Sequence, residues 1–117
     1  MEGESGLLRV FPESQRPTYY PSKRRVEFHN GAVAFCYSAE EPERLRGPQH
    51  HSAWCDELAA WKYPQDTWDN LMMGLRLGAD PRCVVTTTPR PIQTLKNIIK
   101  DPHTRTTRAS TFDNRDN

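Results

Sequence analysis

The sequence predicts an α/β fold with a mainly parallel sheet and crossover helices, preceded by a β-hairpin near the N-terminus. From residue 52 onward, candidate strands and helices alternate, which is typical of parallel strands joined by crossover helices. Apolar side chains recur at helical spacing over 66–78 and again over 91–101. Earlier in the chain, Asn30-Gly31 lies between two segments of strand character and indicates a two-residue hairpin turn.

The N-terminal part is predicted to contain little regular structure before this hairpin. Residues 1–24 are interrupted by three prolines, and we expect only a short extended piece over 7–11. The hairpin strands are predicted over 26–28 and 32–37. Residues 40–47 favour a turn of helix, which ends at Gly47-Pro48.

The α/β part begins with a short strand over 52–55 and a turn of helix over 58–61, ended by Pro64. An amphipathic helix follows, with Asp66 as its N-cap. Its apolar face comprises Trp68, Leu71, Met72 and Leu75.

A second strand and helix complete the alternation. Residues 83–87 are short and β-branched, as in a buried strand. Pro91 suits the first turn of the next helix, and residues 104–111 are predicted to form a final strand. The side chains expected to face inward from that helix are Ile92, Leu95, Ile98 and Ile99.

Composition limits the possible functions. The 117 residues suffice for one small domain, and their apolar content of 35% is lean. Sixteen basic and 15 acidic residues give a net charge of +1, so no overall basic field favours nucleic acid. No apolar run reaches the roughly 18 residues of a membrane span, and no secretory signal begins the sequence. Three well-separated cysteines indicate reduced thiols.

Two polar clusters are expected at strand ends, Asp56-Glu57 and Thr86-Thr87-Thr88. Ligands of parallel sheets bind beyond the carboxyl ends of the strands. Nucleotide hydrolysis needs one carboxylate to support Mg²⁺ and a second group to orient the attacking water. Taken singly, each cluster also has a structural interpretation: the acids would open the following helix, and Thr88 would cap one.

Eight segments form an ordered set of motifs: 2–6, 29–32, 45–61, 67–71, 74–78, 81–82, 86–91 and 110–114. Together they resemble the large terminase subunits of phages, the motors of DNA packaging. The similarity covers nearly the whole chain and is far more specific than either cluster.

This resemblance implies a partial P-loop-type (ASCE) ATPase core, with ATP and Mg²⁺ as cofactors of the intact family protein. Asp56 would be the Walker B acid that supports Mg²⁺, and Glu57 the catalytic carboxylate. Thr86, Thr87 and Thr88 would form the coupling motif that links hydrolysis to subunit movement. Arg46 would be the arginine finger acting on a neighbouring subunit, with Arg44 as the alternative.

The phosphate-binding loop of such ATPases is missing from these 117 residues. No Gly-x-x-x-x-Gly-Lys-Ser/Thr motif occurs, and none of the four lysines follows a glycine. We therefore expect an internal fragment of the ATPase domain that is inactive alone. Its predicted parts are an irregular lead-in (1–25), a hairpin and loop (26–47), an α/β core (48–111) and a tail (112–117).

The implied partners are double-stranded viral DNA, the portal protein, the small terminase subunit and other large-subunit copies. The implied location is the cytoplasm of a bacterial host, with no membrane contact. The alternative is a non-catalytic remnant that binds DNA or a terminase partner through basic residues at 23–25 and 105–108.

Two further classes lack suitable spacing. A metal protein would draw on residues without Cys-x-x-Cys or His-x-x-x-His spacing: His29, His50, His51, Cys36 and Cys55. A nuclease would need convergence of acids that nothing in the sequence brings together: Asp56, Glu57, Asp69 and Asp80.

Overall fold

The computed structural model describes residues 16–109, which form two compact units, 16–38 and 39–109. Three sequence predictions lie outside the described residues: the extended piece over 7–11, the end of the final strand at 110–111 and the tail over 112–117. The division of the chain into four predicted parts stays a prediction.

The first unit is a three-stranded antiparallel sheet in the order β1-β2-β3. Its strands are β1 (Thr18–Tyr20), β2 (Arg25–Glu27) and β3 (Val33–Phe35). Val26, at the centre of the middle strand, is only 1% exposed. The prediction of an irregular segment before residue 25 is wrong over β1. Pro17 and Pro21 flank this edge strand, where a missing amide hydrogen costs no ladder bond, and Pro21 opens a 3₁₀-helix (Pro21–Lys23).

The predicted hairpin is confirmed between β2 and β3, but its two-residue turn is wrong. The loop contains three residues, 29–31, because the Phe28 N–H donates to the Ala32 carbonyl over 2.9 Å. Gly31 has φ 88°, the left-handed conformation that closes a three-residue loop. The Asn30 side chain accepts a hydrogen bond from the Ala32 N–H at 3.0 Å and so stabilises the loop.

The second unit contains the predicted strand–helix–strand–helix order. Strands β4 (Ser52–Asp56) and β5 (Arg82–Thr86) form a two-stranded parallel sheet. The helices are α1 (Pro64–Gly74) and α2 (Gln93–Lys100), with 3₁₀-helices over Pro42–Leu45 and Leu58–Ala60. The predicted final strand is wrong over 104–109, which are not extended into a sheet. The fold is therefore mixed α/β.

Both helices start at different residues from those predicted. Pro64 occupies the first turn of α1, where its fixed φ and missing N–H suit a helix start, and Tyr63 is the N-cap. Asp66 lies inside the first turn, so its predicted capping role is wrong. Helix α2 begins at Gln93 with Ile92 at the N-cap, so Pro91 precedes the helix.

Helix α1 buries a narrower and more polar face than its apolar spacing predicts. Leu71 is buried, whereas the other predicted members, Trp68, Met72 and Leu75, are half-buried. Thr67 and Asn70 are buried instead. Their side chains donate to the carbonyls of Ala39 at 3.1 Å and Pro42 at 2.9 Å, which satisfies both polar groups and fixes the preceding segment against the helix.

Helix α2 faces inward with Leu95 and Ile98, as predicted. Ile92 is half-buried, and Ile99 is 37% exposed, so the inward orientation predicted for Ile99 is wrong. Thr94 is buried and donates to the Gln65 side-chain oxygen of α1 at 2.9 Å. This bond ties the two helices together. Neither helix, nor any other within 16–109, has the length and hydropathy needed to cross a membrane.

The C-terminal end of α1 packs directly on the segment before β4. A Cβ atom on Gly74 would lie 2.3 Å from the Pro48 carbonyl oxygen, so only glycine allows this approach. The His50 N–H donates to the Gly74 carbonyl at 2.7 Å, and the Leu77 N–H donates to the His50 carbonyl at 3.1 Å. These contacts fix the end of the helix beside the entry to the strand.

Candidate functional site

Strands β4 and β5 end side by side. In their parallel register, Cys55 pairs with Val85 and Asp56 pairs with Thr86. The residues that continue each strand, Glu57 and 87–88, therefore emerge at the same edge of the sheet. The structure thus brings the two predicted polar clusters together at the carboxyl ends of parallel strands, where ligands of such sheets bind.

Asp56 lies on the exposed face of β4, and its carboxylate is contacted by Thr86. The Thr86 hydroxyl donates to Asp56 Oδ1 at 3.1 Å. The same hydroxyl oxygen accepts the indole N–H of Trp54 at 3.0 Å. Because the indole can only donate, the threonine keeps its proton for a carboxylate or carbonyl acceptor. Trp61 Nε1 also donates to the Asp56 carbonyl at 2.9 Å, which fixes the backbone there.

Glu57 has a left-handed backbone, with φ 49° and ψ 50°. This conformation costs a non-glycine residue about 1–2 kcal/mol and persists only where surrounding contacts impose it. Here the Glu57 N–H donates to the Thr86 carbonyl at 2.6 Å. Thr88 contacts both carboxylate oxygens, through its hydroxyl at 3.2 Å and its N–H at 3.3 Å. The end of β5 therefore fixes the Glu57 backbone, and Thr88, two residues beyond the strand, orients the Glu57 carboxylate.

Thr87 fixes the turn that follows the acids. Its hydroxyl oxygen accepts the Ala59 N–H at 2.9 Å, and the hydroxyl donates to the Thr88 carbonyl at 3.1 Å. Leu58, beside this anchor, is fully buried. The three threonines thus have three different partners: the Asp56 carboxylate, the backbone of the 3₁₀-helix and the Glu57 carboxylate.

Of the two structural interpretations, that of the acids agrees with their position before a 3₁₀-helix, and that of Thr88 as an N-cap is wrong. Glu57 lies at the N-cap position of the 3₁₀-helix Leu58–Ala60, but its side chain makes no capping hydrogen bond. Thr88 does not cap α2, since Ile92 holds that position. Both side chains are instead directed to one another.

The donor set at this edge suits a hard cation. It consists of carboxylate and hydroxyl oxygens, and both acids are exposed to solvent. Within 16–109 no group of three or more His, Cys, Asp or Glu side chains is placed to hold a metal ion. Mg²⁺ fits such a sparse set, because it is commonly bound by one or two carboxylates together with water and substrate phosphates.

The two candidate finger arginines differ in their surroundings. Arg44 lies in the 3₁₀-helix Pro42–Leu45 and forms an ion pair with Glu41, the N-cap residue of that helix. Arg46 follows that helix and lines a cavity of about 290 Å³ beside the end of α1. None of the acids or threonines at the strand ends lines this cavity. Within one chain, Arg46 is therefore not part of the carboxylate cluster.

A contact between two cysteines of the parallel sheet, one on each strand, was not predicted from the sequence. Cys55 Sγ and Cys83 Sγ lie 3.7 Å apart, and both residues are free thiols. The hydrogen bond with Cys83, together with burial, raises the pKa of Cys55, whereas the same hydrogen bond lowers the pKa of Cys83. Only the pairing of β4 with β5 reveals this contact, because 28 residues separate the two cysteines.

The residues of the alternative sites have other partners. Asp80 pairs with Arg82 at 2.7 Å, and Asp69 accepts the Gln65 amide at 2.8 Å, so neither is directed to a shared nuclease centre. In the first unit, Arg25 pairs with Glu27, and Lys23 lies 5.8 Å from the ring centroid of Tyr20.

One comparison with known proteins gives a match. The model of the family described as "Terminase large subunit, T4likevirus-type, N-terminal" matches residues 1–117. No curated protein and no solved structure matches the chain.

Proposed function

The chain belongs to the T4-like family of large terminase subunits, and we propose that it supplies the catalytic acids and coupling motif of their ATPase. Family membership implies a role in phage DNA packaging. The observation that carries the proposal is the hydrogen bonding of two carboxylates, Asp56 and Glu57, by threonines at and just beyond the end of the neighbouring parallel strand. The α/β unit over 39–109 would then be part of a P-loop-type (ASCE) core.

Asp56 and Glu57 are assigned different tasks because they hold different positions. Asp56 ends β4 with its carboxylate on the exposed face, where it would support Mg²⁺. When bound, Mg²⁺ would neutralise charge on the nucleotide phosphates. The turn at Glu57 directs the second carboxylate away from the strand, held by Thr88 at both oxygens. An exposed carboxylate so oriented can accept a hydrogen bond from water and polarise it for attack on a phosphate.

The threonine run would link this chemistry to movement. Thr86 contacts one acid, Thr88 the other, and Thr87 holds the 3₁₀-helix between β4 and α1. A change in the hydrogen bonding of the Glu57 carboxylate would therefore alter the hydrogen bonds of β5 and of Ala59. These contacts are the basis for proposing Thr86, Thr87 and Thr88 as the coupling motif.

Arg46 is proposed as the finger that acts on the nucleotide of a neighbouring subunit. Arg44 is paired with Glu41, whereas Arg46 has no carboxylate partner within the described residues. A guanidinium without an acidic partner is available to neutralise charge on a phosphoryl group. Double-stranded DNA, the portal protein, the small terminase subunit and further large-subunit copies are the proposed partners, and the host cytoplasm the proposed location.

The decisive experiment compares Glu57→Gln with the unchanged residue in a large terminase subunit that contains this segment together with a phosphate-binding loop. We expect ATP hydrolysis to fall by about 10²–10⁴-fold, because the amide cannot act as a base. Binding of a fluorescent ATP analogue with Mg²⁺ is expected to change little. Asp56→Asn, in contrast, is expected to raise the Mg²⁺ concentration needed for half-maximal activity.

Equal hydrolysis rates for the Glu57→Gln and unchanged subunits would disprove the catalytic assignment. Thr87→Val is the matched control, since it lies in the same cluster without contacting either carboxylate, and it is expected to reduce hydrolysis less than Glu57→Gln does. The 117-residue chain by itself is expected to show no Mg²⁺-dependent binding of the ATP analogue. Saturable, Mg²⁺-dependent binding by that chain would contradict the expectation of inactivity.

A further inference from the structure

We propose that Arg46 and Arg76 together form a binding site for a phosphate group. Both residues line the cavity of about 290 Å³ at the end of α1. Arg76 was not a candidate from the sequence, which singled out Arg46 and Arg44, because Arg76 lies 30 positions beyond Arg46. The inference rests on the proposed function only for the role of Arg46 and does not involve the Asp56–Glu57 cluster.

The backbone beneath the two arginines is held by close packing. Arg46 precedes Pro48 by two residues, and Arg76 follows Gly74 by two residues. Gly74 packs against the Pro48 carbonyl so closely that a Cβ atom would not fit, and its own carbonyl accepts the N–H groups of His50 and Arg76 at 2.7 and 3.0 Å. The segments that carry the arginines are therefore fixed against each other, as a preorganised binding site requires.

Neither guanidinium forms an ion pair within the described residues, although Arg46 also borders a second cavity that acids line. Arg25, Arg44 and Arg82, in contrast, each form an ion pair with a carboxylate. Arg46 and Arg76 are exposed and make no ion pair or side-chain hydrogen bond within 16–109. Two like charges beside one cavity repel one another, and an anion bound between them would turn that repulsion into attraction.

The chemistry of the cavity favours phosphate. Guanidinium groups form paired hydrogen bonds with phosphate oxygens, and the cavity volume is near the lower end of the ~300–1,000 Å³ typical of small-ligand sites. The Asn70 amide already donates to Pro42, and Met73 and Leu45 supply apolar wall. The two arginines are thus the groups available to bind an anion. The phosphate can come from a nucleotide on a second copy of the chain or from the backbone of DNA.

The test titrates the folded 117-residue chain with tripolyphosphate, followed by amide chemical shifts and calorimetry at low salt. Arg46→Ala and Arg76→Ala are each expected to weaken binding by about tenfold or more, since each removes charge-assisted hydrogen bonds. Arg76→Lys keeps the charge but not the paired geometry, so an intermediate loss is expected. Arg44→Ala is the matched control, because it removes the same charge two residues away, and less than a twofold loss is expected.

Titration of the same variants with a random-sequence DNA duplex distinguishes the sources of phosphate. Loss of tripolyphosphate binding without loss of DNA binding supports a nucleotide phosphate, whereas loss of DNA binding supports the DNA backbone. The proposal is overturned if the unchanged chain binds neither probe, or if Arg44→Ala and Arg76→Ala weaken binding equally. Circular dichroism checks that each variant is folded, and Arg76→Gln replaces any alanine variant that is not. A negative result leaves the Glu57→Gln test unaffected.

Discussion

Gly74→Ala is expected to destabilise the second compact unit by about 1–2 kcal/mol. The added Cβ would lie 2.3 Å from the Pro48 carbonyl oxygen, while its next neighbours, at 3.5 and 3.7 Å, are ordinary contacts. The conflict is with backbone, which cannot rotate away as a side chain can. Overpacking of this kind costs about 1–3 kcal/mol. Against it, alanine gains up to about 1 kcal/mol of helix propensity over glycine, and less at the last residue of α1.

Urea denaturation followed by tryptophan fluorescence measures this effect in the relevant unit. All three tryptophans, at positions 54, 61 and 68, belong to the unit over 39–109. The midpoint for Gly74→Ala is expected to fall with an unchanged slope. Met73→Ala is the matched control, since Met73 precedes Gly74 in the same helix and is 67% exposed. Its stability is expected to change by less than about 0.5 kcal/mol.

A Gly74→Ala chain that is as stable as the unchanged chain, or more stable, would contradict the expected steric conflict, provided that Met73→Ala behaves as expected. Such a result would mean that the Pro48 turn moves aside at no cost. It would also weaken the argument that the segments of Arg46 and Arg76 are fixed against each other, because that argument depends on the same contact.

Two further predictions concern titratable groups. Cys83 is expected to react with iodoacetamide before Cys55, because its pKa is lowered by the hydrogen bond from the Cys55 thiol. Cys55→Ala should slow the reaction of Cys83 with iodoacetamide, and Cys55→Ser should slow it less, because serine keeps a hydrogen-bond donor. Mass spectra that show labelling of Cys55 before Cys83 would contradict the lowered pKa of Cys83. Burial lowers the pKa of His50 below its ordinary 6.5, so the unfolded chain binds the proton more readily. Stability should therefore be full above about pH 6.5 and decline as the pH falls. The measurement compares urea midpoints at about pH 7.5 and 5.5. His50→Gln should reduce the loss of stability between these two pH values, whereas the control His51→Gln should not. An equal effect of both variants would exclude His50 as the cause.

Local patterns in the sequence predicted most secondary structure of the second unit. Helical spacing of apolar residues identified α1 and α2, and β-branched runs identified β5. The same patterns gave wrong predictions where a residue type is compatible with two different local structures. Prolines can interrupt or flank a strand, so β1 was missed, and Asn30-Gly31 closes loops of two or three residues. Polar side chains with distant partners, such as Thr67 and Asn70, could not be recognised as buried.

Local features of the sequence, strand ends and ordered motifs, were enough to predict Asp56, Glu57 and the three threonines as candidate site residues. Which threonine contacts which acid could not be predicted in this way, since it depends on the register of Asp56 beside Thr86. The tertiary structure also shows that Arg44 forms an ion pair, and that Arg76 lines the same cavity as Arg46. The physical reason is that spacing along the chain fixes local conformation, whereas the contacts of a site depend on packing between segments that are distant in sequence.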